Sequence, residues 1–235
     1  MFKNILDILY PKYCTVCKRH GDYLCDSCRK SFKRNLPECY ICRRLSPNYA
    51  THLKCKNRLS LDHVYVEWEY NVSSSQILKM YKYKNVSDIS GKLSMLLIEG
   101  LFSSGYHKRL RNTLLIPVPI SYSRSVERGF NQTELIVNRV CQKFGCEKNY
   151  DFIKCENTQQ HMAGKSKEER ATRAFNPFFI DQRFDVSKYT NITILDDVIT
   201  TGKTLENMVQ VIKGTYSNKL EVNAICLFRG KPYYL

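Results

Sequence analysis

The sequence predicts an α/β protein, a mostly parallel β-sheet with flanking helices, carrying a small cysteine-rich module at its N-terminus. Three observations predict it. Apolar strand-like runs alternate with helical patterns from residue 61 onward, three Cys-x2-Cys pairs crowd the first 55 residues, and one apolar strand runs into two acids and a turn of Thr and Gly. A chain of 235 residues can bury one ordinary core plus a small module. The expected division is 1–60 for the module and 61–235 for the sheet domain.

Charge narrows the function classes. There are 37 Lys and Arg against 22 Asp and Glu, a net +15, and the first 60 residues hold 13 of those cations against 4 acids. Such an excess predicts attraction to polyanions: nucleic acid, phosphorylated ligands or an acidic membrane face. No apolar run approaches the roughly 20 residues that span a bilayer, so no integral membrane segment is expected. Residues 1–10 place Phe2, Ile5, Leu6, Ile8 and Leu9 at near-helical spacing, broken by Asp7 and closed by Pro11. Without a small-residue cleavage site this reads as a short helix packing on its own domain, with a membrane-surface helix as the alternative, and not as a signal peptide.

The module comes first in the chain. Eleven cysteines are present, and Cys14, Cys17, Cys25, Cys28, Cys39, Cys42 and Cys55 fall within it. A two-residue gap lets both sulfurs of a tight knuckle face one tetrahedral ion, whereas disulfide scaffolds have no reason to repeat it. His52 and Cys55 share that gap and complete eight potential ligands. Thiolates plus an imidazole favour Zn²⁺, at one or two sites. Serial pairing groups Cys14, Cys17, Cys25 and Cys28 on one ion and Cys39, Cys42, His52 and Cys55 on another; interleaved pairing is the alternative. Cys141, Cys146, Cys155 and Cys226 read as buried or incidental thiols. Cations thread between the ligands, among them Lys18, Arg19, Arg34, Arg44, Lys54 and Arg58, with Tyr13, Tyr23, Phe32, Tyr40 and Tyr49 interleaved. Cations that track phosphates and rings that stack on bases suit a single-strand binder. The competing reading is that the cations balance anionic metal sites and the rings pack the module.

Residues 63–70 alternate like a strand, and 73–83 read as a helix with Ser73 or Ser74 as its cap. Residues 113–119 form an apolar strand ended by prolines, and 131–144 show a helical pattern. Residues 191–195 are a strand, 204–213 a helix and 221–228 a last strand. Apolar strands alternating with helices indicate a parallel sheet covered on both faces. No internal repeat or low-complexity linker is read.

The sharpest functional signal is the string from Ile194 to Thr204, ILDDVITTGKT. It delivers Asp196 and Asp197 to the C-terminal edge of the sheet, where open α/β folds bind ligands. Free amides at the following helix start, with the hydroxyls of Thr200, Thr201 and Thr204 around Gly202 and Lys203, suit a phosphate dianion. Ionised carboxylates accept hydrogen bonds, which suits the vicinal hydroxyls of a sugar. A P-loop is excluded, because the glycine it requires five residues before Gly202 is Asp197.

Residues 194–204 resemble the phosphoribosyl pyrophosphate (PRPP) signature of type I phosphoribosyltransferases. Nearly the whole chain resembles the ComF group of competence-associated, phosphoribosyltransferase-like bacterial proteins. The resemblance rests on the knuckles of residues 14–55, with His52 where a cysteine is usual, and on Tyr81 to Lys84. It rests also on Ile116 to Pro119 followed by Arg124 and the Arg128-Gly-Phe-Asn-Gln132 segment, and on Thr158 to Phe175. It implies a type I phosphoribosyltransferase fold, with Asp196 and Asp197 on the ribose hydroxyls as the catalytic pair and Thr200 to Thr204 around the 5′-phosphate. Arg124 and Arg128 would lie on the pyrophosphate side, Mg²⁺ would accompany PRPP, and Gln160, Lys165, Lys167 and Arg170 would fall in a flexible loop. The implied role is handling single-stranded DNA in the cytoplasm during natural transformation, beside a ComFA-type helicase and DNA-processing proteins. The alternative is an active phosphoribosyltransferase acting on a small base or amine.

Overall fold

The computed structural model describes residues 11–83, 87–120, 126, 131–156, 176–216 and 220–231. Helix α1, Asp26–Lys30, belongs to the cysteine-rich segment. It is followed by β1 Val64–Glu69, α2 Val72–Tyr83, α3 Ser87–Ser103, β2 Thr113–Pro117 and α4 Gln132–Phe144. Then come β3 Glu147–Lys148, β4 Lys154–Cys155, β5 Phe178–Phe179, β6 Asn191–Ile199, α5 Lys203–Thr215 and β7 Glu221–Arg229. Five strands form one sheet in the order β1-β7-β6-β2-β3, and each neighbouring pair is parallel. The α/β class expected from the sequence is therefore the one observed, with β4 and β5 added as a separate antiparallel pair.

Successive strand residues point to opposite faces, and two cores follow that period. Tyr65, Leu115, Leu195, Ile225 and Leu227 pack under α2, α3 and α4, and Trp68 and Phe228 at the strand ends join them outside the alternation. Val64, Val66, Ile116, Ile194, Val222 and Ala224 pack against α5 through Leu205, Met208, Val209 and Ile212. Burial on both faces explains why β7 lacks polar alternation.

The helix over residues 87–103 was absent from the sequence reading. Ile89, Leu93, Leu96, Leu97 and Leu101 supply its buried stripe. The cap of α2 also differs from expectation. Asn71 Oδ1 accepts from the Ser74 amide at 2.9 Å while Ser74 Oγ accepts from the Asn71 amide at 2.7 Å, so Asn71 is the cap and Ser74 its reciprocal partner.

The cysteine-rich segment packs into both cores. Cys14, Leu24, Cys28 and Phe32 join the first, with Phe32 edge-on to Trp68 and Phe228, and Tyr40 joins the second. Its two halves repeat, which the sequence reading did not register. Cys14 N–H donates to Arg19 O at 2.8 Å and Lys18 N–H to Cys14 O at 2.8 Å; 25 positions on, Cys39 N–H donates to Arg44 O and Arg43 N–H to Cys39 O, both at 2.9 Å. Lys18 and Arg43 share the same left-handed conformation, φ 63° and 59°. The bridges Tyr13–His20 and Glu38–Leu45 close the two knuckles alike.

Candidate functional site: an anion cradle beside two metal-ligand sets

Strand β6 lies between β7 and β2, and its C-terminal edge carries the acids. Asp196, Thr200, Thr201, Gly202, Lys203 and Thr204 together line a small cavity of about 30 Å³. Gly202 is the N-cap of α5 at φ 90°, a conformation costly for any residue with a Cβ. Gly202 has no side chain with which to cap the helix, which leaves the Thr204 and Leu205 amides of the first turn as the donors for a ligand. Thr201 Oγ1 sits 3.3 Å from the Lys203 amide. Thr201, Lys203 and Thr204 are exposed around this opening.

Asp197 turns to a different partner: its carboxylate is 2.5 Å from Lys82 Nζ at the end of α2. Asp196 accepts from the Asp197 amide at 2.8 Å. Burial, and then the charge of Asp197, push its pKa up to about 8, against the opposing pull of the Asp197 amide and Lys82. Burial beside Asp197 thus favours the protonated form of Asp196 in the free protein. Asp196 holds a proton until a cation or ligand replaces it.

Lys82 is a site residue that sequence reasoning passed over, although it stands in the Tyr81 to Lys84 segment. Gln132 Nε2 donates to Lys82 O at 3.0 Å, and Asn131 caps α4 while donating to Val118 O at 3.1 Å. Both residues of the Asn-Gln pair hold the walls of the site. A larger cavity of about 370 Å³ shares Val198 and Thr200 with the cradle and is lined by Tyr70, Lys79, Lys82 and Lys231. Arg124, Arg128, Gln160, His161, Lys165, Lys167 and Arg170 lie outside the described residues.

The eight metal-ligand candidates resolve into the serial grouping. Ligand atoms of Cys14, Cys17, Cys25 and Cys28 lie within 4.8 Å of one another, as do those of Cys39, Cys42, His52 and Cys55. Cys17 and Cys25 Sγ are 3.6 Å apart, close to the about 3.8 Å that tetrahedral Zn–S bonds of 2.3 Å impose. In the second set His52 Nδ1 faces Cys42 Sγ at 3.2 Å while Nε2 is 3.2 Å from Leu45 O. Only an N–H can donate to that carbonyl, so Nδ1 presents its lone pair, the arrangement a metal-bound imidazole requires.

The thiols fit a cation electrostatically. Burial raises Cys14, but the amides of Cys17, Cys25 and Val16 outweigh it and bring the thiol down to about 6. The Arg44 amide and side chain pull Cys42 down to about 6. Burial and the neighbouring sulfurs push Cys28 to about 12 and Cys55 to about 11. In each set one thiol is thus drawn toward ionisation while another is held back, and a bound cation would favour the ionised form of both. The two groups could each hold a zinc ion.

The interleaved cations and rings are partly committed elsewhere. Arg29 pairs with Glu99, Lys33 with Glu69, Arg34 with Glu67 and Lys56 with Asp62. Phe32 and Tyr40 are buried, and Tyr49 packs on Tyr65 and Tyr106. Those three rings are unavailable for base stacking; Tyr13 is half exposed.

Fold and site together define an open parallel α/β protein with a glycine turn and a small cavity at the carboxyl edge of its sheet, and two four-residue groups that could each hold a metal ion. No family model matches the chain. It is similar to competence protein F of Haemophilus influenzae, 26% identical over 204 residues that cover 85% of this chain and 88% of the relative. Competence protein ComFC of Bacillus subtilis is 26% identical over 192 residues, covering 77% and 74%. DNA utilization protein YhgH of Escherichia coli K12 is 22% identical over 233 residues, covering 92% and 97%. The resemblance read from the motifs is thus carried by relatives across most of the chain. Among the described residues no helix is long and apolar enough to cross a membrane.

Proposed function

We propose that the chain is a DNA-uptake protein that binds PRPP with Mg²⁺ in the β6–α5 turn and handles single-stranded DNA in the cytoplasm during natural transformation. The observation that carries this reading is the convergence of Asp196 with Thr200, Thr201, Gly202, Lys203 and Thr204 on one cavity at the sheet's carboxyl edge. In this account the α5 amides and threonine hydroxyls hold the 5′-phosphate, and Asp196 and Asp197 hold the ribose hydroxyls. Arg124 and Arg128 take the pyrophosphate side, where a planar guanidinium matches phosphate oxygens. Bound Mg²⁺ supplies charge neutralisation to the pyrophosphate. The names of the relatives above support the DNA-uptake context, and partners of the ComFA-type helicase and DNA-processing class follow from it.

The second metal-ligand lobe supports the single-strand part. Ile41, Leu45 and Leu53 are 39%, 68% and 89% exposed there, beside exposed Arg44, Lys54 and Arg58. Apolar tips among cations suit unstacked bases on a phosphate backbone. The division at residues 60/61 into a metal module and a phosphoribosyltransferase-like domain is part of this proposal.

The larger cavity favours a second reading, transfer of phosphoribose to a small base or amine. An acceptor there would lie beside the sugar; its lone pair would bond C1 as the C1–oxygen bond breaks and pyrophosphate leaves with those electrons. Lys79, Lys82 and Lys231 would balance the leaving charge.

Paired titrations test the proposal, with PRPP plus Mg²⁺ and with a fluorescent single-stranded oligonucleotide at several salt concentrations. The double variant Asp196→Ala, Asp197→Ala should lose the sugar phosphate and keep most DNA affinity. Undiminished PRPP affinity in that variant would overturn the cradle, and salt-independent or absent oligonucleotide binding would overturn the DNA role.

A further inference from the structure

We propose that the second metal-ligand set, and not the first, is thermodynamically coupled to the anion cradle, with Tyr40 and Arg229 as the positioning residues that carry the coupling. The proposal rests on the sugar-phosphate reading given above. The two knuckles repeat each other in backbone geometry, so the first serves as an internal control for the second.

Tyr40 lies between the ligands Cys39 and Cys42, and its ring is 3% exposed beneath the cradle. A Cβ placed on Gly202 would fall 2.8 Å from ring atom Cε2, which puts the ring against the backbone of the turn. Its hydroxyl donates to Glu206 Oε1 in the first turn of α5 at 3.0 Å and accepts from the Leu61 amide at 3.4 Å. Arg229, at the end of β7 and 5% exposed, joins the same two segments through main chain. Its Nη2 donates to Tyr40 O at 2.5 Å and its Nη1 to Thr200 O at 3.2 Å. Glu38, one residue before Cys39, is the ion-pair partner of Arg229 Nε at 2.9 Å. Arg43, one residue after Cys42, donates to Gly230 O at 2.8 Å, and Gly230 N–H donates to Ile199 O at 2.8 Å.

One buried guanidinium thus bridges a carbonyl inside the metal knuckle to a carbonyl inside the cradle. A metal that closes Cys39 and Cys42 on His52 and Cys55 fixes the knuckle backbone, and through Tyr40 and Arg229 it fixes the turn that receives the phosphate. The first knuckle has different neighbours: Thr15 contacts Met80, Lys92 pairs with Asp22 and Lys12 with Asp88, all on α2 and α3. These contacts run to Met80, Asp88 and Lys92, whereas those of the second knuckle run to Thr200, Glu206 and Gly230. Linkage makes the coupling reciprocal, so bound sugar phosphate must also retain the second metal.

The test uses the full chain loaded with zinc, and reads two quantities. The first is PRPP·Mg²⁺ affinity in Cys55→Ser and in Cys17→Ser, each checked for loss of one zinc and for retained secondary structure. The expected result is a loss of about tenfold or more in Cys55→Ser and a much smaller change in Cys17→Ser. The second is the rate of zinc release to a colorimetric chelator with and without PRPP·Mg²⁺. PRPP should slow release from the second set alone, and that effect should vanish in Arg229→Lys and weaken in Tyr40→Phe while both zincs remain bound at the start. Lysine keeps a charge beside Glu38 but cannot fork to two carbonyls. Equal responses of the two sets, or release from the second set indifferent to bound PRPP, would overturn the coupling alone. No PRPP binding by the wild-type chain would overturn the functional reading and the coupling with it.

Discussion

Gly202→Ala isolates the cradle with one methyl group. The position has φ 90°, and an added Cβ would meet Tyr40 Cε2 at 2.8 Å and Cδ2 at 3.1 Å. Left-handed backbone costs a residue with a Cβ about 1–2 kcal/mol, and overpacking a buried ring costs about 1–3 kcal/mol. Together they amount to about 2–5 kcal/mol, since Tyr40 is held at its hydroxyl by Glu206 and Leu61 and cannot simply swing aside. Thermal unfolding should fall by several degrees at about 2–4 °C per kcal/mol for a chain of this size. Titration of PRPP·Mg²⁺ should lose about tenfold or more in affinity, because relief of the overlap displaces the amides that face the phosphate. A double-mutant cycle separates the two costs. In a Tyr40→Ala background the overlap is gone, so adding Gly202→Ala should cost only the about 1–2 kcal/mol of backbone strain. Equal costs of Gly202→Ala in both backgrounds, or wild-type affinity in the single variant, would refute this reasoning.

Other outcomes follow from the same geometry. Asp196 holds a proton in the free protein with its pKa near 8, and a ligand bringing Mg²⁺ favours the ionised form, so binding at pH 7 should release protons and affinity should rise between pH 6 and pH 8. Calorimetry in buffers of different ionisation enthalpy reads this; proton uptake on binding would contradict it. Lys82→Met removes a charge that lowers Asp196 and pairs with Asp197, so the pH at which PRPP binding develops should move upward, at a stability cost of about 1 kcal/mol. Metal analysis of protein purified without chelator should give about two zinc per chain, falling to about one in His52→Ala. Replacing Arg44, Lys54 and Arg58 by Gln should reduce the slope of oligonucleotide affinity against salt by about 0.7 per phosphate contact removed.

Much of this was legible from residues alone where local pattern and chemistry coincide. The turn after β6 announces itself because an apolar run, two acids, hydroxyl residues and Gly202 are contiguous, and the eight metal-ligand candidates follow from repeated two-residue gaps, although the choice of serial over interleaved grouping came only from the fold. Helix α3 escaped because Gly91 and Gly100 interrupt it, and their reason is tertiary. A methyl at Gly91 would crowd the Arg139 guanidinium at 3.3 Å, and one at Gly100 would overlap the buried Glu67 carboxylate. The pair β4–β5 has two residues per strand, too few for any period to show. Asn71 escaped as a cap because Ser73 and Ser74 offered the same chemistry two and three positions later. Tyr40 and Arg229 stand 189 positions apart and meet only in the fold, so no spacing rule could pair them. The stripe of rings in the metal module looked uniform in sequence, yet long-range packing divides it into buried Phe32 and Tyr40 and half-exposed Tyr13.

Amide hydrogen exchange in the presence of PRPP·Mg²⁺ reads the phosphate grip at the backbone itself. Peptides covering residues 196–206 should gain protection on adding the ligand, while those covering residues 14–28 should exchange as before. Unchanged exchange across 196–206 at a ligand concentration that saturates binding would mean that the phosphate is held elsewhere, and the cradle would have to be given up.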